Sequence, residues 1–93
     1  MFEVWFDGLR VKVSHAADVE LVDLGLRVVD AVEVLEKGFD CSRSKRKKDK
    51  IERCLRKGSR VLRVVAAYSY NFLLKEDVVV LIHVSIEGTK WSK

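Results

Sequence analysis

Leu9, Val11 and Val13 alternate with Arg10 and Lys12, the period-two pattern of a strand with one buried face. Phe2-Glu3-Val4-Trp5-Phe6 precedes them across Asp7-Gly8, a dipeptide suited to a two-residue hairpin turn at positive φ. The period then changes. Ser14 is placed to cap a helix over His15–Leu24, with Asp18 and Glu20 near its positive end and Gly25 as its stop. Ala16, Val19, Val22 and Leu26 recur at near-helical spacing and mark the expected apolar stripe. A second helix fits Val28–Lys37, burying Val28, Ala31, Val32 and Leu35 and ending at Gly38.

The second half returns to strands. Residues 51–55 and 60–70 flank Arg56-Lys57-Gly58-Ser59, a hairpin connection that contains glycine. Residues 78–85 make the most apolar strand, reached through 71–77. The expected order is an N-terminal β-hairpin, two short helices and a three-stranded antiparallel meander. Helices grouped on one face of such a sheet make an α+β fold. With no internal repeat and no linker, 1–93 reads as one α+β domain with a basic loop near 42–50.

Size and composition narrow the function classes. At 93 residues the chain is too short for most large catalytic folds. A 48% hydrophobic and 34% charged composition excludes a disordered chain. No apolar run approaches the roughly 18 residues that span a bilayer, and no signal pattern opens the chain, so a cytoplasmic protein without membrane contact is expected. Proline and glutamine are absent and Asn71 is the one asparagine, the amide-poor, charge-rich pattern of a heat-adapted prokaryotic source.

Charge is segregated. Residues 1–40 hold four basic and nine acidic side chains, whereas 41–63 hold eleven basic and two acidic. The densest stretch contains Arg43, Lys45, Arg46, Lys47, Lys48 and Lys50 and reads as a solvated loop. Clustered Lys and Arg displace counterions from a nucleic-acid backbone, so these six are the candidate RNA contacts, with a solubility loop as the plain alternative. Zinc-finger spacing, an aromatic RNA-binding motif and a Gly-rich phosphate loop are all missing, so base-specific reading is not expected.

Several segments together resemble a known family. They are the strand leading into Ser14-His15-Ala16, the helix pair joined at Leu24-Gly25-Leu26, the helix end Glu33-Val34-Leu35-Glu36, and the strands at 60–65 and 78–84. This combination is similar to small prokaryotic proteins of the BrnT type and, more distantly, to RelE toxins. The resemblance covers roughly residues 11–85 and shares His15 of the family's polar signature. It implies a compact sheet with two N-terminal helices, cleavage of free or ribosome-bound mRNA, and an antitoxin-like protein partner.

Metal-free RNA cleavage needs a proton acceptor, a proton donor and cations around the phosphate. His15 and His83 are the obvious titrating groups. If Val64, Ala66 and Tyr68 face the helices and lie beside Val84, Ile82 and Val80, then Val65 opposes His83 with Arg63 diagonal to it. His83, Arg63 and His15 are the candidate catalytic residues. Each histidine also has a structural reading, His15 at a strand–helix junction and His83 at a polar interface edge. Tyr68 and Tyr70 follow the core-facing alternation, and Ser14 is a cap rather than a nucleophile. The second sheet face is expected to carry Val65, Ala67, Val79 and Leu81, an apolar surface that a homodimer or protein partner would cover. Cys41 and Cys54 flank the basic loop; they either close a disulfide or are small buried apolar residues. No metal site or cofactor is expected. Two functions follow: an RNA- or ribosome-binding, metal-independent ribonuclease, and a non-catalytic dimerisation or protein-interaction module.

Overall fold

A computed structural model describes residues 4–40 and 49–87. Its elements are β1 (Trp5–Phe6), β2 (Leu9–Val13), α1 (His15–Leu24), α2 (Val28–Lys37), β3 (Phe39–Asp40), β4 (Lys50–Lys57), β5 (Arg60–Asn71) and β6 (Glu76–Glu87). Both helices start and stop where their caps place them. Ser14 Oγ accepts the Ala17 N–H at 3.1 Å, and Gly25 turns left-handed at φ 70° to end α1. Asp30 Oδ2 accepts the Arg27 N–H at 2.8 Å, closing the first turn of α2. Gly38 ends α2 for a different reason: a Cβ there would collide with the carbonyl oxygens of Cys54 and Val34.

The strands form one six-stranded sheet in the order β1-β2-β6-β5-β4-β3. Asp7 (φ 58°) and Gly8 (φ 78°) make the first turn, as the Asp-Gly pair requires. Three differences from the expected meander stand out. A short strand, β3, pairs with β4 through Phe39↔Cys54 and Asp40↔Arg53. The N-terminal hairpin is not separate, because β2 runs parallel to β6 over Arg10↔Val78 to Val13↔Leu81. The sheet therefore has six strands rather than a hairpin beside three.

The third difference changes which side chains face where. β5 and β6 pair as Val64↔Val84 and Val65↔His83, but the next partners are Ala66↔Leu81 and Ala67↔Val80. The ladder skips Ile82, a β-bulge. Because side chains alternate with period two, one skipped residue exchanges the faces of everything before it on β6. Val79 and Leu81, expected on the outer face, are instead fully buried in the core beneath the helices. Val78 and Val80 take the outer positions opposite Ser69 and Ala67.

α1 packs on β6, and α2 lies across β4 and β5. Their inner residues Ala17, Leu21, Ala31, Val32, Val34 and Leu35 meet Val11, Leu62, Val64, Ala66, Val79, Leu81 and Val84. Each fully buried Val or Leu contributes roughly 1.5–3 kcal/mol, so this layer holds the fold. The stripe expected on α1 is on the wrong side: Ala17 and Leu21 are buried, whereas Ala16, Val19 and Val22 face water. Among the described residues no helix is long and apolar enough to cross a membrane.

Candidate functional site

The bulge is also where the site begins. Ser14 N–H donates to the Leu81 carbonyl at 3.0 Å, and Ser14 Oγ donates to the Ile82 carbonyl at 3.4 Å. These bonds fix the start of α1 to β6 where β2 ends. Past Leu81 the outer edge of β6 has no strand beside it among the described residues, and α1 runs along it instead. Glu20, on the second turn of α1, reaches that edge: Oε1 accepts the Val84 N–H at 2.8 Å. Its other oxygen stands 3.6 Å from Nδ1 of His83.

Arg63 comes from β5. It pairs across the ladder with Ser85 while Val65 pairs with His83, so Arg63 and His83 are diagonal neighbours on the face away from the helices. Arg63, His83, Glu20, Val65, Val84 and Ser85 line one cleft of about 330 Å³. Behind it, Arg63 Nε meets Oε2 of Glu52 at 2.5 Å. Glu52 lies on the same face of β4, directly opposite Val65, and is 4% exposed. A carboxylate taken out of water needs a cation or hydrogen-bond donors, and Arg63 supplies both. The guanidinium is thereby fixed in direction.

The remaining predicted residues are distributed as follows. His15 is the first residue of α1, is exposed, and does not line the cleft. Lys50 opens β4, half-buried and opposite Ala67, on the cleft's face of the sheet. Arg43, Lys45, Arg46, Lys47 and Lys48 lie outside the described residues, as does Cys41. Cys54 is buried and disulfide-bonded, with its Cα opposite that of Arg63. Of the four residues assigned to an apolar outer face, Val65 and Ala67 are on it, and Val65 is itself buried. Val79 and Leu81 are not on that face, for the register reason given above. Among the described residues no group of three or more His, Cys, Asp or Glu is arranged to hold a metal ion.

Sequence reasoning missed Glu20 and Glu52. For Glu52 a signal existed: it is the one acidic residue in 50–63, among six cations and on the same strand face as Lys50 and Arg56. For Glu20 there was none, because its partner is a backbone amide 64 positions away. Tyr68 keeps the core-side position expected of it. Its hydroxyl lies 3.5 Å from Asp7 Oδ2, and burial, then the Asp7 charge, raise its pKa above the usual phenol value. A phenol held protonated in this way, at the far end of β5, is not part of the cleft.

No protein-family model, no curated protein and no solved structure matches this chain.

Proposed function

We propose that this chain is a small RelE/BrnT-like domain of the cytoplasm that binds RNA or ribosome and cleaves phosphodiesters without a metal. The observation that carries the reading is the convergence of Arg63, His83 and Glu20 on one cleft, from two strands and a helix. Glu20 beside Nδ1 would hold the His83 ring so that Nε2 accepts the proton of a 2′-hydroxyl. The freed O2′ attacks phosphorus, and the 5′-oxygen leaves with a proton drawn from water. The products are a 2′,3′-cyclic phosphate and a 5′-hydroxyl. Arg63, held in direction by Glu52, would offset the charge that builds on the phosphoryl oxygens.

Attraction for the polyanion would come from around the cleft rather than from inside it. Lys50 and Arg56 share its face of β4, and Lys57 and Arg60 flank the Gly58-Ser59 turn. The sequence continues this charge into 43–48, separated from β4 by Asp49 alone. An antitoxin-like protein, the partner implied by the family resemblance, would neutralise the activity by covering the cleft.

One observation favours the second reading, a non-catalytic interaction module. Arg63 is paired with Glu52 and His83 stands beside Glu20, so the cleft has no surplus positive charge of its own. Incubation with labelled single-stranded RNA in EDTA separates the two. Cleavage by the wild type that falls at least about 100-fold in His83→Ala supports the ribonuclease. Salt-sensitive binding without cleavage, lost when Lys45, Arg46, Lys47 and Lys48 are neutralised, leaves an RNA-binding module. The absence of both binding and cleavage sinks the RNA reading altogether.

A further inference from the structure

The strand pairings combine into rows that cross the outer face of the sheet. Lys12 lies beside Val80, Val80 beside Ala67, and Ala67 beside Lys50. All four are on the outer face, because the residues that alternate with them, Val11, Val79, Ala66 and Ile51, pack in the core under the helices. Two lysines thus stand at the ends of one row with a low apolar floor between them. Three strand spacings, roughly 14 Å, separate their backbones. Lys12 is exposed, Lys50 is half-buried, and neither forms an ion pair among the described residues. Further along the same face runs the row Ser85, Arg63, Cys54 and Phe39. Phe39 ends it on β3, 57% exposed.

Charge divides by layer. Residues 14–38, which hold both helices, carry six acidic and two basic side chains. On the outer sheet face the acidic groups are already engaged. Glu52 is paired with Arg63, and Glu76 with Arg10 at 2.7 Å. Glu87 ends β6 in the row of Val61 and Arg56, so those two charges offset one another. Asp49 lies level with Tyr68 and Asp77 with Tyr70, on the helix side of the sheet. The positive surplus of the outer face is therefore left at Lys12 and Lys50, one on each side of the β5–β6 seam.

From Val61 to Ser69, β5 rises roughly 27 Å, room for about eight nucleotides stacked ~3.4 Å apart and about half as many extended. A strand laid along the seam crosses the floor between the lysines and passes His83 and Arg63. We propose that this seam is the track of a single strand of RNA, with Lys12 and Lys50 holding phosphates on either side and Phe39 offering a ring to a base. The Phe39 backbone is two strand spacings, roughly 10 Å, from that of Arg63, within reach of a base projecting from the track. A duplex would rest on the lysine tips and reach neither floor nor ring. The exposed ring also favours RNA over an acidic protein, since it stacks on a base and offers nothing to a carboxylate. The inference rests on the RNA reading above and names where on the chain the strand lies.

Fluorescence anisotropy of the full chain with labelled 2′-O-methyl oligouridylates tests it, because blocking the 2′-hydroxyl separates binding from cleavage. Affinity should rise between about four and eight nucleotides and then level. Lys12→Ala and Lys50→Ala should each raise the dissociation constant at least about 3-fold and lower the slope of its logarithm against log salt by about 0.7. Phe39→Ala should raise it at least about 5-fold. Lys37→Ala, which removes the same charge from the helix layer, should leave it unchanged, and far-UV circular dichroism should be the same for all four variants. An equal loss in Lys37→Ala overturns the proposal, as does polyglutamate that binds as tightly as the RNA and depends on Lys12. Binding that ignores Lys12 and Lys50 but vanishes when Lys45, Arg46, Lys47 and Lys48 are neutralised overturns the track and leaves the RNA reading standing. The expected binding pattern without cleavage of unmodified RNA supports the track and defeats the ribonuclease. No binding at all overturns both.

Discussion

The carboxylate of Glu20 accepts a hydrogen bond from the backbone N–H of Val84 at 2.8 Å. Among the described residues no strand pairs with this edge of β6 beyond Leu81, and the carboxylate takes that place where the edge would otherwise present its amides to another chain. One side chain therefore both blunts an edge and stands beside His83.

Glu20→Ala is expected to lower stability by about 1–2 kcal/mol, since a part-buried amide loses its acceptor. Glu20→Gln keeps a carbonyl in place and should lose less. Urea denaturation reads both. Equal losses in the two variants would mean that the negative charge, rather than the hydrogen bond, is what matters.

Leu81 tests the register. Inward and fully buried, it should cost about 2–5 kcal/mol on replacement by alanine. Val80→Ala, one position away on the outer face and half-buried, should cost markedly less. A reversed order would return Val79 and Leu81 to the outer face and remove the bulge at Ile82.

Gly38 is required by space rather than by a positive φ, since its own φ is −79°. Gly38→Ala forces a methyl against the backbone carbonyls of Val34 and Cys54, and a loss of about 1–3 kcal/mol is expected from the resulting shift. Gly8→Ala, which meets nothing in space, serves as the comparison; its loss should come from the positive φ alone. Thermal unfolding of the two variants separates crowding from backbone strain.

Glu33 of α2 bonds Lys57 of β4 at 2.7 Å and Lys37 at 3.5 Å, and the Lys57 contact chiefly holds its carboxyl below the usual 4.5. A carboxylate whose folded pKa is depressed adds stability that is fully present above its unfolded value. That stability is lost as pH falls through the folded value, so the effect lies in the acid limb below about pH 4.5. Lys57→Ala should flatten the pH dependence of the unfolding midpoint there and leave it unchanged near pH 7 apart from a constant offset. The contact is exposed, so the effect should shrink in molar salt.

The local elements were legible in the sequence because their signals are local. Ser14, Gly25 and Gly38 bracket the helices at the bounds the structure has, and Asp7-Gly8 makes the turn it encodes. Arg63 and His83 were legible as neighbours because the alternation of β5 and β6 holds from Val65↔His83 onward. The faces of Val79 and Leu81 were not, since alternation is blind to a bulge: a single skipped residue inverts the pattern without altering its period. The inner face of α1 was equally hidden. Its apolar residues fall on both sides, and packing against β6 selected Ala17 and Leu21 over Val19 and Val22.

By itself, then, the sequence determined the helices, five of the six strands and the segregated charge, set by residues within a few positions of one another, and through the β5–β6 alternation the diagonal pair Arg63 and His83. Tertiary structure alone decided the parallel pairing of β2 with β6, the bulge at Ile82, and the placing of Glu20 and Glu52 around His83 and Arg63. Those contacts join distant positions, and they form only because burying one apolar layer fixes the register of all six strands at once.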